Sequence, residues 1–139
     1  MATKIKPELS SKNKYKISKH RHYELKHFCL QYPEWKKARS DLDRMVLPSS
    51  AKERTPSSNI PGDPTARKAI MKAGYSERIQ LVEETAAEAD AYLNHYILKG
   101  VTEGLSYTQL KTNLDIPCAR DTYYDRYRRF FWILDKSRD

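Results

Sequence analysis

The run from Ser106 to Leu134, SYTQLKTNLDIPCARDTYYDRYRRFFWIL, carries a proline between two helix-forming segments, and that interruption constrains how the C-terminal end can fold. A proline has no amide to donate and pushes its predecessor toward extended geometry. Asp115-Ile116-Pro117 therefore ends one helix, and the next begins at about Cys118. Upstream, Gly100 and Gly104 close an apolar periodic segment, and a glycine there can take the left-handed conformation without a Cβ penalty, so a helix stops near Glu103. Ser106 with Gln109 three residues later has the capping-box pattern, which starts a short helix at about Tyr107. The sum is a helix, a turn of about four residues and a longer helix, the layout of a helix-turn-helix.

At about 100° per residue, Tyr123, Tyr127, Phe130, Phe131 and Leu134 share one arc of the last helix, opposite Asp121, Thr122, Asp125, Arg128 and Arg129. The aromatic arc is core and the polar arc is left for a ligand. A helix inserted in the major groove of double-stranded DNA presents its first turns to base edges. Arg120, Asp121, Thr122, Tyr124 and Asp125 are the candidates for that role, and Arg126, Arg128 and Arg129 those for phosphate contact. The competing reading is a surface helix that packs one face and solvates the other. The caps, the turn, the apolar Leu110, Leu114 and Ile116, and the basic outer face together favour DNA.

The string LSYTQLKTNLDIPCARDTYYDRYRRFFWIL resembles the C-terminal helix-turn-helix of the small phage-encoded transcription regulators of the RinA/ArpU kind, themselves similar to the promoter-reading region of sigma factors. LSYTQL corresponds to the family's first helix of the motif and DTYYDRYRRFFWIL to its recognition helix. The resemblance implies a cytoplasmic regulator in a bacterial host cell, activating phage or prophage genes such as late or morphogenesis genes. It covers the C-terminal region well and the N-terminal part only in general layout. Pro117-Cys118 stands where the family usually has small polar residues, and Phe130, Phe131 and Trp132 stand where it often has alanine and lysine.

The charge of the chain agrees with a polyanionic partner. Its 139 residues carry a net charge of +8, which favours nucleic acid through steering and counterion release. The distribution is uneven. Residues 1–46 hold twelve Lys/Arg against five Asp/Glu, residues 76–105 two against six, and residues 106–139 seven against five. Cys29 and Cys118 come without a signal peptide, and no apolar run approaches the length of a membrane span, so a reduced, cytosolic protein with no membrane partner is expected.

Along the chain, residues 1–17 read as a disordered basic tail with an accessory electrostatic contact to DNA. Residues 18–46 form an N-terminal helical unit: Leu25, Phe28, Cys29 and Tyr32 share a helical face, and Pro33 opens a second segment with Trp35, Ala38, Leu42 and Met45. Residues 47–63 are a Pro/Ser-rich linker, and Asp63-Pro64 starts a helical domain over 64–139 with a break predicted at Gly74, resumption at Ser76 and a split at Asp90. Tyr75, Ile79, Val82, Ala86, Ala89, Leu93 and Tyr96 recur every three to four residues. That stripe reads as a seam pairing two copies in a homodimer or as an ordinary core face, and its shortness and two alanines favour the core. The fold class is all-α: a helical bundle with a C-terminal helix-turn-helix at 106–134.

No catalytic signature emerges. There is no Gly-rich phosphate loop, nucleophile elbow or carboxylate pair on a rigid scaffold, and Asp121 and Asp125 sit among arginines as helix-surface ion pairs, so an enzyme is not expected. His20, His22, His27 and Cys29 lack structural-zinc spacing, and no metal or other cofactor is assigned. Two readings compete with a sequence-specific DNA-binding regulator: a sigma-like adaptor that contacts RNA polymerase, and a DNA-packaging or structural phage protein. Phe131 and Trp132 are candidates to dock the N-terminal unit onto the helix-turn-helix.

Overall fold

A computed structural model describes residues 14–45 and 63–138. Six helices and no strand lie among them: α1 Lys19–Leu30, α2 Tyr32–Arg44, α3 Pro64–Ala89, α4 Asn94–Glu103, α5 Tyr107–Leu114 and α6 Arg120–Ser137. No helix of the described residues is long and apolar enough to cross a membrane. Residues 1–13 of the expected tail, Val46 of the expected N-terminal unit, 47–62 of the expected linker and Asp139 lie outside the described residues.

Local chemistry sets the helix ends. Ser18 caps α1 by accepting from the Arg21 amide at 3.2 Å. Gln31 ends α1, and Pro33 falls in the first turn of α2, where a missing amide costs no helical hydrogen bond. Asp63 caps α3, its carboxylate accepting from the Thr65 amide at 3.0 Å, with Pro64 at the first helical position. The break predicted at Gly74 does not occur: α3 runs unbroken for 26 residues. A mid-helix glycine costs only about 1 kcal/mol relative to alanine, which the packing of α3 on α2 and α6 outweighs. Asp90 does stop the helix, its Oδ1 accepting from the Tyr92 and Leu93 amides at 2.8 and 2.9 Å.

Packing then gathers the helices around α6. Its buried side chains are Tyr123, Tyr127, Phe130, Phe131, Ile133 and Leu134. They meet the Ile79, Val82, Ala86, Ala89 and Leu93 stripe, which faces the protein's own core, with Tyr75 and Tyr96 at its margin. Leu25, Phe28, Cys29, Tyr32 and Trp35 of the 18–46 unit belong to the same continuous core, as do Ile97, Val101, Leu110 and Ile116. Full burial of each such side chain contributes about 1.5–3 kcal/mol, so helices on both sides of residues 46–62 stabilise one another. Phe131 docks α1 directly, with its ring 4.8 Å from that of the buried His22 in an edge-on arrangement. Arg21 ties the start of α1 to the end of α6 through Asp135 at 2.7 Å.

One finding departs from the expectation based on local pattern. Lys14–Ile17 fall within the expected disordered tail, yet Tyr15 is buried and Ile17 packs against the core. The physical reason is Trp132, whose ring lies 5.5 Å from that of Tyr15 and supplies a long-range aromatic partner. The histidines and cysteine of the N-terminal unit point in different directions, with His22 and Cys29 buried and His20 and His27 exposed. Burial pushes the Cys29 thiol far above its usual range, and both cysteines are free.

Gly100 marks the closest approach of α4 to α6. A Cβ there would overlap the hydroxyl of the fully buried Tyr123. Gly100→Ala should therefore destabilise the protein by about 1–3 kcal/mol through overpacking. In a Tyr123→Phe background, chemical denaturation should show a smaller cost for the same substitution. Strict additivity of the two would show that this contact does not set the α4–α6 spacing.

Candidate nucleic-acid interface

The turn between α5 and α6 is built by side chains reaching backbone. Gly104, in the left-handed conformation, ends α4, and the Leu105 amide returns to the Gly100 carbonyl at 3.1 Å. Ser106 and Gln109 then form a complete capping box: Ser106 Oγ accepts from the Gln109 amide at 3.2 Å, and Gln109 Oε1 accepts from the Ser106 amide at 2.8 Å. At the far end of α5, Asp115 takes a left-handed conformation and its amide bonds the Lys111 carbonyl at 3.1 Å. Ile116 is fully buried and plugs the turn into the core. The next helix starts at Arg120 with Ala119 as its N-cap, two residues beyond the expected Cys118.

Tyr107 fastens the two helices together. Its hydroxyl donates to the Cys118 carbonyl at 2.5 Å, while its amide donates to the Tyr124 hydroxyl at 3.2 Å. Tyr124 is therefore half-buried and positions its neighbours instead of standing free. Arg120 stacks over it, the guanidinium 5.1 Å from the ring centroid. This stacking pre-orders a long side chain at the start of α6, where Arg120, Asp121 and Thr122 are all exposed. No side chain caps the first turn of α6, so its free amides add a partial positive charge there, with Asp121 as a compensating acid.

The three arginines assigned to phosphate part ways. Arg126 Nε lies 3.3 Å from Asp90 Oδ2, at the corner where α3 ends, and its Nη1 lies 3.6 Å from Asp125. Arg129 donates to the Tyr15 hydroxyl and to the Glu88 carbonyl, each at 3.4 Å. Arg128 is half-buried. The structure thus brings Arg120, Asp121, Thr122 and Asp125 together at the outward end of α6, and turns Arg126 and Arg129 toward α3. Sequence periodicity missed Tyr107, Asp90 and Tyr15 as positioning residues. Asp90 carried a local signal only as a helix split, and Tyr15 only as a lone aromatic among lysines.

Asp90 serves two functions, capping amides with one oxygen and pairing with Arg126 through the other. Caps of this kind are worth about 1 kcal/mol, whereas a partly exposed ion pair is worth less than about 1 kcal/mol. Asp90→Ala should lower unfolding free energy in urea by about 1–2 kcal/mol and Arg126→Ala by clearly less. Equal losses would mean that the ion pair, not the cap, holds the α3–α4 corner.

Compared with models of protein families, with curated proteins and with solved structures, the chain has no match.

Proposed function

We propose that the protein is a sequence-specific DNA-binding transcription regulator of phage or prophage genes, reading the major groove with the first turns of α6. The observation that carries this reading is the exposed N-terminal end of α6. Arg120, Asp121 and Thr122 project there from a helix whose remaining length is anchored in the core. Each has a side chain that can address a base edge: Arg donates to guanine, Asp accepts from cytosine N4, and Thr can donate, accept or touch a thymine methyl. The capped α5 and the plugged turn fix the helix rigidly, as base readout requires. The basic balance of the whole chain supplies the sequence-independent attraction. The resemblance of the C-terminal string to phage regulators supports the same reading.

Fluorescence anisotropy with duplexes from the DNA around its own gene, against scrambled duplexes over a salt series, tests this directly. A preferred site bound about a thousandfold more tightly is expected. Arg120→Ala should cost about 1–3 kcal/mol at that site and relax its specificity, while Arg128→Ala should lower the salt slope by about one. Equal, steeply salt-dependent binding to every duplex would overturn sequence reading. Co-purification with RNA polymerase would then favour the adaptor, and self-assembly would favour a packaging or structural role.

A further inference from the structure

Two arginines far from the α5–α6 turn stand without a carboxylate. Arg78 lies on α3 and Arg138 caps the end of α6, and neither guanidinium forms an ion pair or a hydrogen bond among the described residues. By contrast, Arg21 is paired with Glu24 and Asp135, Arg44 with Asp41 and Arg126 with Asp90. Aromatic rings hold the two in place instead. The Arg138 guanidinium sits 3.8 Å from the centroid of Phe28, and that of Arg78 sits 5.6 Å from the centroid of Tyr75. Stacking of this kind orders a long side chain while leaving its N–H groups available to an acceptor.

Both arginines line one groove between α2, α3 and the end of α6. Its volume is about 650 Å³, within the range of small-ligand sites. Phe28 and Trp35 form the floor, their rings 4.8 Å apart, and Tyr75 stands on the α3 wall. The backbone of Arg138 is pinned on both sides, its amide donating to the Leu134 carbonyl at 2.9 Å and its carbonyl accepting from Arg21. Across the groove, Gly74 leaves room for Arg78: outside the helix backbone, the one atom within 4 Å of a Cβ there would be Arg78 Nη2, at 4.0 Å. Glu34 also lines the groove, but it belongs to the first turn of α2, where the helix dipole favours an acid, and it pairs with neither guanidinium. Arg138 closes the helix that Arg120 opens, about 27 Å away, so the groove lies at the opposite end of α6 from the candidate reading residues.

We propose that this groove is a binding site for a small aromatic dianion, an organic phosphate or a dicarboxylate, with its charged oxygens held by Arg78 and Arg138 and its ring against Tyr75 and the groove floor. The inference stands independently of the DNA-binding reading. A guanidinium presents paired N–H donors that match the oxygens of phosphate and carboxylate. Because the two arginines reach in from different helices, a ligand with two negative charges satisfies both, which a single carboxylate does not. The aromatic lining takes the place of water around the ligand's ring. Side chains already ordered by stacking lose little further freedom when the ligand binds.

Calorimetric titration of the full chain at neutral pH tests this, with phenyl phosphate and phenylmalonate as dianions and with inorganic phosphate and phenylacetate as partial ligands. At least one dianion should bind with a Kd below about 1 mM, the tighter of the two naming the chemical source, and each partial ligand should bind at least about fivefold more weakly. Arg78→Ala, at an exposed position, should weaken binding about tenfold or more. Gly74→Glu sets a carboxylate one helical turn before Arg78, where it pairs with the guanidinium. It should abolish binding while raising the melting temperature, whereas Gly74→Gln should keep the affinity within about threefold of the parent. Glu34→Gln should tighten binding about twofold. No heat with either dianion, or an affinity that Arg78→Ala and Gly74→Glu leave unchanged, overturns the site. Inorganic phosphate binding as tightly as phenyl phosphate would also overturn it, by reducing the groove to a surface anion contact. So would displacement of phenyl phosphate by a DNA duplex whose own binding Arg78→Ala weakens, because the groove would then be a nucleic-acid contact.

Discussion

The aromatic face of α6 is the constraint on which the rest of the structure depends. Tyr123, Tyr127, Phe130 and Phe131 lie in sequence on one helix and in space against α1, α3, α4 and α5. Neighbouring rings in this set sit 4.9–6.0 Å apart in tilted or edge-on arrangements, which add to the area they bury. A helix so deeply embedded cannot offer an entire face to a ligand. Its C-terminal half belongs to the core, and only the outward stripe and first turns remain.

This embedding explains how the charge is used. A guanidinium beside a helix corner loses hydration and must find acceptors, so Arg126 takes Asp90 and Arg129 takes the Glu88 carbonyl and Tyr15. Their charges stabilise the joint between α3 and α6. The exposed end of α6 keeps a mixture of Arg120, Asp121 and Asp125, a composition suited to discriminating among hydrogen-bonding patterns more than to raw attraction. Most of the remaining positive charge lies elsewhere, most densely in the first forty-six residues.

Residues Gly100 and Tyr123 show why packing was harder to read than helix boundaries. Gly104, Ser106, Gln109, Asp63 and Pro64 act through hydrogen bonds or backbone angles within four residues, so their roles follow from spacing alone. Gly100 reads with Gly104 as the end of a helix near Glu103, where α4 does stop, but no local pattern shows that its lack of a Cβ makes room for a tyrosine hydroxyl from another helix. Gly74 looked like a break, yet tertiary packing carries α3 through it. The site divides in the same way. Exposure of Asp121 and Thr122 followed from angular position, whereas the inward pull on Arg126 and Arg129 depends on where α3 ends.

By itself, then, the sequence determined the all-helical class, the cap at Asp63, the ends of α4 and α5, and the amphipathic division of α6, because each is a matter of local bonding and of one helical period. Tertiary structure alone decided that α1 and α2 share a core with α6, that Tyr15 packs at a tilt against Trp132, and which arginines stay outward. Those outcomes hang on contacts between residues far apart in the chain, from 36 positions for Arg126 and Asp90 to 114 for Arg21 and Asp135 or Tyr15 and Arg129. No periodicity encodes such a pairing, since it forms only when the helices that carry both partners have packed.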